Sequence, residues 1–104
     1  MGAVLVYMTA GDAAEARKIG RALVEEKLAA CANLMDGMTS IYRWQGEICE
    51  DAEAVLIAKT TEVLAPALTA RVKALHSYDC PCVAVLPIES GNAAFLDWIA
   101  EQTA

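Results

Sequence analysis

Basic residues are scarce in this 104-residue sequence, which carries eight Lys and Arg against 14 Asp and Glu. The formal net charge is −6 and the isoelectric point is near 4.6. A protein that binds a phosphate backbone needs clustered cations, whereas these are scattered singly or in interrupted pairs. We therefore expect no nucleic-acid partner, and the negative surface favours cations as ligands.

Long apolar runs and targeting segments are also missing. No stretch approaches the ~20 apolar residues that are needed to span a bilayer. The apolar opening, residues 1–11, has no basic segment before it and is too short for a signal peptide with its cleavage site. We therefore expect no membrane partner, a cytoplasmic location and a single domain over residues 1–104.

Motifs for catalysis and for organic cofactors are absent as well. The four cysteines show no C-x-x-C spacing, as iron–sulfur and redox motifs require, and no glycine-rich phosphate loop occurs. His76 is the only histidine, so it is the only conventional base, and no third group is identifiable to orient a Cys–His pair. The sequence favours a non-enzymatic protein without an organic cofactor, whose thiols are reduced.

Apolar residues, in contrast, are abundant. They make up 57% of the chain, against roughly 45–50% in ordinary soluble proteins. A domain of this size has a limited interior, so part of its apolar surface should lie between subunits. The composition therefore indicates an oligomer.

The hydrophobic periodicity predicts the order βαββαβ followed by a terminal helix. Apolar runs at residues 3–8, 54–58 and 83–86 are typical of strands, the last at a sheet edge. Asp12 with Glu15 marks the start of a first helix that should end near Leu28. This order matches an α+β ferredoxin-like sandwich, in which an antiparallel sheet carries two helices on one face.

The later helices are predicted in more detail. Apolar residues from 64 to 75 form one stripe of a second helix, which Thr60 or Thr61 could cap. In the extra C-terminal helix, Phe95, Trp98 and Ile99 should face inward.

The middle of the chain predicts a long β-hairpin. Residues around Tyr42 and Trp44 alternate as in a half-buried strand, and Gln45 with Gly46 suits the turn. Each arm would have about 13 residues, or ~40 Å, which is over twice the common strand length. Such a ribbon must bend, for example at Gly37, or project onto a neighbouring subunit. This is the strongest indication of an oligomer from the residues alone.

Five residues form a set of soft and borderline metal ligands: Cys31, His76, Asp79, Cys80 and Cys82. Thiolate and imidazole prefer copper and zinc to magnesium or calcium. Simpler roles stay open, because Cys31 among alanines suits a core and His76 suits a helix C-terminus. Cys80 and Cys82 should share a sheet face if both are extended, which allows joint ligation or joint burial.

Three further residues suit a cleft or an interface. Tyr42 and Trp44 could line a ligand cleft, although aromatic residues on a projecting arm more often pack between subunits. Lys59 is either a cation that faces a ligand or a charge that protects a sheet edge.

Seven collinear segments resemble the CutA divalent-cation tolerance family over nearly the whole chain. They are Val4-Leu5-Val6-Tyr7 with Thr9-Ala10, Glu26-Lys27-Leu28-Ala29-Ala30-Cys31-Ala32-Asn33, Ser40-Ile41-Tyr42-Arg43-Trp44-Gln45-Gly46, Lys59-Thr60, Leu86-Pro87-Ile88, Gly91-Asn92 and Leu96-Asp97-Trp98. The resemblance implies a ferredoxin-like fold and a tightly packed homotrimer whose hairpins pair between subunits. It also implies a non-enzymatic role in tolerance of, or response to, divalent metals, copper above all.

The resemblance also implies particular site residues. Cys31 and His76 match the ligands proposed in the family, and clefts between subunits are expected, as in PII signalling proteins. We expect those clefts to involve Asn33, Tyr42, Trp44, Lys59 and Tyr78.

The chain departs from the family around its histidine. It has Leu75 in place of a first histidine, and residues 76–82 lack the Pro and the Glu of the family's H-P-Y-x-x-P-E. Cys80 and Cys82 could compensate as additional metal ligands. The alternative function is a PII-like signalling module that binds a small anionic or nucleotide-like ligand between subunits, although no phosphate-binding loop supports it.

Overall fold

The computed structural model describes residues 2–104 and shows the predicted order of elements. These are β1 (Ala3–Ala10), α1 (Ala13–Glu25), β2 (Cys31–Trp44), β3 (Glu47–Thr61), α2 (Ala65–Leu75), β4 (Val83–Pro87) and α3 (Ala93–Gln102). The four strands form one antiparallel sheet in the order β2-β3-β1-β4. The α+β ferredoxin-like fold with an extra C-terminal helix is therefore confirmed.

The core lies between one face of the sheet and helices α1 and α2. Alternate residues of β1 are buried, as expected for a strand with one covered face. The core side chains include Val6, Met8, Leu56, Ala58, Ile19, Leu23, Leu68 and Val72. The opposite side of the sheet, called here the open face, carries the alternate residues Leu5, Tyr7, Thr9, Cys31, Asn33, Met35, Val55, Ile57, Lys59, Ala84 and Leu86.

Helix α3 covers part of the open face. It packs against the two central strands, β1 and β3. Its buried Ile99 does not belong to the core beneath α1 and α2, and Val55, on the open face, is also buried outside that core. Helix α3 therefore lies on the side opposite to α1 and α2.

The inward orientation predicted for α3 is correct only for Ile99. Phe95 and Trp98 are 41% and 37% exposed, and their rings stack with centroids 5.6 Å apart. No second layer covers α3 in the described chain, so only the side of the helix that touches the sheet is buried. Trp98 is thus a surface residue of this chain.

The β2–β3 hairpin is as long as predicted, with arms of 14 and 15 residues. Gln45 and Gly46 both have positive φ, at 50° and 82°, which is typical of a type I′ turn. One extra residue lies between Met35 and Met38, where Gly37 has a φ of 76°, so the expected bend at Gly37 is present as a β-bulge. The radius of gyration, 14.1 Å, exceeds the ~13 Å of a compact chain of this length because the hairpin projects.

Helix α1 ends at Glu25, earlier than predicted. Lys27 adopts a left-handed φ of 58°, and the Leu28 and Ala29 amides both donate to the Leu23 carbonyl. This left-handed residue terminates the helix before Leu28 can join it.

The predicted cap of α2 is also wrong. The helix follows Leu64 without a side-chain cap, and Pro66 lies in its first turn. Thr60 cannot cap α2, because Thr60 belongs to β3, where it pairs with Val4 and its side chain faces the core. Among the described helices, none is long and apolar enough to cross a membrane.

Thr60 offers a test of the core. Thr60 is fully buried, and its hydroxyl has no hydrogen-bond partner among the described residues. Thr60→Val replaces the hydroxyl with a methyl group of similar shape and keeps the β-branched side chain that suits a strand. We expect the free energy of unfolding to rise by about 1 kcal/mol in urea denaturation.

The matched control is Thr69→Val, because the Thr69 hydroxyl donates to the Ala65 carbonyl at 2.9 Å. This variant should be neutral or slightly less stable. Equal effects of the two substitutions would contradict the assignment of an unpaired hydroxyl at Thr60.

Candidate functional site

A cleft of about 780 Å³ lies between the hairpin, the end of β1 and the loop that precedes β4. It is lined by Tyr7, Thr9, Met38, Thr39, Ser40, Ile41, Tyr42, Trp44, Glu53, Tyr78, Asp79, Cys80 and Cys82. The topology creates it, because β1 and β2 are separated by β3 while the loop from α2 returns to the far side of β1. The candidate residues from the sequence that are brought together here are Tyr42, Trp44, Tyr78, Asp79, Cys80 and Cys82.

The cleft contains sulfur from three side chains. Cys80 and Cys82 are exposed free thiols, and Met38 contributes a thioether. Both cysteines precede β4, which begins at Val83, so neither belongs to the sheet and the condition for a shared sheet face is not met. Burial and the negative charge of Glu53 raise the pKa of the Cys82 thiol.

His76 is the first residue of the loop 76–82 between α2 and β4. Its side chain is only 1% exposed. Its Nδ1 accepts a hydrogen bond from the Tyr78 amide at 3.0 Å, so Nε2 carries the proton. That Nε2–H donates to the Thr9 carbonyl at 2.8 Å. Both ring nitrogens are therefore engaged in holding the loop against the end of β1.

Glu15 of helix α1 holds the same loop together with His76, and the two side chains are called here the anchor. Its carboxylate accepts from the Gly11 amide at 3.0 Å and from the Ser77 amide at 2.8 Å, and it lies 3.9 Å from His76 Nδ1. Burial raises the pKa of Glu15, whereas the hydrogen bonds from Gly11 and Ser77 lower it. The lowering is the larger effect, so the net pKa lies below its usual value. The sequence identified Glu15 only as a helix-start residue, because Ser77 is 62 positions away.

Two phenols of the cleft are tied to carboxylates. Tyr78 donates to Glu53 at 2.7 Å, and Tyr42 donates to Asp51. Burial, with the hydrogen bond to Glu53, raises the pKa of Tyr78, and the bond to Asp51 raises the pKa of Tyr42 to about 12. Both phenols stay protonated near neutral pH, and the two bonds fix the orientation of their rings. No pattern in the sequence marks Glu53 as the partner of Tyr78.

The remaining predicted residues lie elsewhere on the open face. Cys31 pairs with Lys59 across β2 and β3, and the Lys59 ammonium donates to Asn33. Lys59 also pairs with Leu5 of β1. His76 contacts the carbonyl of Thr9, which lies four residues farther along the same strand. Cys31 and His76 are therefore not brought together within one chain.

The same geometry bears on metal ligation. Over residues 2–104, no three or more His, Cys, Asp and Glu side chains are placed to hold a metal ion. The proposed ligands Cys31, His76, Cys80 and Cys82 thus do not form one ready site in a single chain.

Comparison with known proteins agrees with this fold. The sequence pattern of the CutA1 divalent ion tolerance protein family matches residues 4–102. A divalent-cation tolerance protein CutA from Thermus thermophilus is 52% identical over 99 residues, which are 95% of this chain and 96% of that protein. Protein CutA of Mus musculus is 43% identical over 93% of this chain, which spans only 55% of the mouse protein.

A solved structure shows the same likeness in three dimensions. The divalent cation tolerance protein from Thermus thermophilus superimposes with a TM-score of 0.95 at 51% identity, over 98% of this chain and 99% of that one. The matches in sequence and in structure both extend over nearly the whole chain. This protein belongs to the CutA1 divalent ion tolerance protein family.

Proposed function

We propose that the protein acts in tolerance of divalent metal ions, as a non-enzymatic, cytoplasmic homotrimer that binds copper. The observation that carries the proposal is the pair of exposed thiols, Cys80 and Cys82, in one cleft of an acidic protein. Thiolates prefer copper, and zinc next, to the hard ions magnesium and calcium. The role in tolerance of divalent metal ions is inferred from the names of its relatives.

The sulfur donors of the cleft fit a soft metal better than the imidazole of His76 does. Cys80 and Cys82 would hold the ion, with Met38 as a weaker sulfur donor. His76 would have to give up its bond from the Tyr78 amide or to the Thr9 carbonyl before it could bind a metal. A shared site of Cys31 and His76, which the family resemblance implies, would require a second subunit.

Assembly into a homotrimer is supported by the apolar surface that one chain leaves uncovered. On the hairpin, Ile41, Ile48 and Trp44 are 67%, 62% and 59% exposed, and Met35 on the open face is 52% exposed. Strands β2 and β4 are the two edges of the sheet and can accept further strands. A projecting apolar arm and two free edges are best accommodated by neighbouring copies.

The PII-like alternative gains no support from the cleft. A small anionic ligand would need compensating positive charge. The described residues that line the cleft include Glu53 and Asp79 but neither Lys nor Arg.

The metal proposal is tested by replacing both thiols, Cys80→Ser with Cys82→Ser. Isothermal titration with Cu(I) should show loss of most binding, because the soft donors of the cleft are gone. In the unmodified protein, affinity should fall as the pH drops, since protons compete for thiolates and the pKa of Cys82 is already raised.

Cys49→Ser is the matched control, because Cys49 is a half-buried free thiol of the hairpin that does not line the cleft. It should bind copper like the unmodified protein. Full copper binding by the double variant, together with its loss in Cys31→Ser, would place the metal at Cys31 instead.

A further inference from the structure

We propose that the chain carries a site of spontaneous modification at Asp36 and Gly37, where the aspartate converts to isoaspartate without an enzyme. Asp36–Gly37 is the only Asp–Gly or Asn–Gly pair in the sequence. The two residues lie in the β-bulge of β2 and do not line the cleft. The reaction uses only the atoms of these two residues and water, so it needs neither a bound ligand nor an open cleft.

The bulge leaves the reacting peptide outside the strand ladder. Among the described residues of the hairpin, the cross-strand pairs stop at Met35 and resume at Met38, so Asp36 and Gly37 have no partner on β3. The extra residue of a bulge is left unpaired and disrupts the ladder locally. Pairing between the strands therefore does not fix the peptide that joins Asp36 to Gly37.

The Asp36 carboxyl is already turned toward the nitrogen that must attack it. The Gly37 amide donates to Asp36 Oδ1 at 2.8 Å, so the carboxyl carbon lies beside the nucleophile. Gly37 has no side chain to obstruct this approach, and its φ of 76° is one that other residues rarely adopt. Two reacting groups that are held in contact react far faster than groups that must first meet. The hydrogen bond thus brings the reacting atoms together before the reaction.

The reaction balances with water alone. The Gly37 nitrogen bonds to Cγ of the protonated Asp36 carboxyl, and the amide proton leaves with the carboxyl hydroxyl as water. Water then adds to the main-chain carbonyl carbon of Asp36 in this cyclic imide, and the bond from that carbon to the Gly37 nitrogen breaks. The chain now runs through Cβ and Cγ of residue 36, which lengthens the backbone by one methylene group where the hairpin bends.

The experiment keeps the unmodified chain at neutral pH for several weeks and then locates isoaspartate by peptide mapping. Electron-transfer fragmentation distinguishes isoaspartate from aspartate, which has the same mass. The level at residue 36 should be at least about tenfold above that at every other aspartate, because only Asp36 combines the following glycine with a contacting amide. The other aspartates are Asp12, Asp51, Asp79 and Asp97.

A synthetic peptide of residues 33–40 gives the rate for the same sequence without the fold. A rate in the folded chain of at least about one tenth of the peptide rate supports the proposal, since the bulge does not protect the site. A lower rate in the folded chain, or no excess of isoaspartate at residue 36, would overturn it.

Ala52→Gly tests whether the bulge, and not the dipeptide alone, directs the reaction. It gives Asp51 a following glycine in the regular ladder, where Asp51 lies opposite Ser40 and its carboxylate accepts from Tyr42. Residue 36 should react as before, and residue 51 should react at least about tenfold more slowly than residue 36. Equal accumulation at both positions would show that the bulge contributes nothing and would overturn the proposal.

Discussion

Replacing His76 with alanine should lower the free energy of unfolding by about 3 kcal/mol. The substitution deletes a buried imidazole and leaves a cavity, and it removes the partners of the Thr9 carbonyl and the Tyr78 amide. Urea denaturation followed by circular dichroism measures the loss. Protein concentrations must match, because the apparent stability of an oligomer depends on concentration.

The control for His76→Ala is Tyr78→Phe, which removes the bond to Glu53 but keeps the backbone amide that His76 holds. It should cost no more than about 1 kcal/mol, because a single hydrogen bond of a residue that is 38% exposed contributes about that much. Copper stoichiometry per folded chain should be unchanged in His76→Ala if the imidazole is an anchor. Full stability with loss of copper would instead show that His76 is a ligand.

The fold could be predicted from the sequence because its signals are local. The turn at Gln45 and Gly46, the bend at Gly37 and the apolar run of β1 each depend on neighbouring residues. The terminal helix shows where local signals end. Phe95, Trp98 and Ile99 have the spacing of an inward stripe, but the face of the sheet that α3 covers is decided by the tertiary fold.

The candidate site was predicted only in part, for the same reason. Its soft ligands could be recognised by residue type, and six of the ten candidate residues named from the sequence line one cleft. The role of His76 depends on Thr9, 67 positions away, and that of Tyr78 on Glu53, 25 positions away. Spacing along the chain does not encode such partners, so an anchoring histidine and a metal-binding histidine look alike in the sequence.

Replacing Trp44 with alanine should convert the proposed trimer to monomers at micromolar concentration. Trp44 is 59% exposed beside the hairpin turn, where the arm extends beyond the area that one chain can cover. A tryptophan at the centre of an interface contributes about 2–4 kcal/mol, which corresponds to a loss of affinity of about thirtyfold to a thousandfold. Sedimentation should give about three times the 11.1 kDa chain mass for the unmodified protein and a mass near that of one chain for the variant.

Two further substitutions make the assembly result specific. Val63→Ala removes an equally exposed apolar side chain from the turn before α2, away from the arm, and should leave the trimer intact. Trp98→Ala should weaken assembly less than Trp44→Ala, because Trp98 is 37% exposed and already stacks on Phe95 within its own subunit. A stable monomer of the unmodified chain would remove the trimer from the proposed function. Equal weakening by Val63→Ala and Trp44→Ala would show that the hairpin is not the element that joins the subunits.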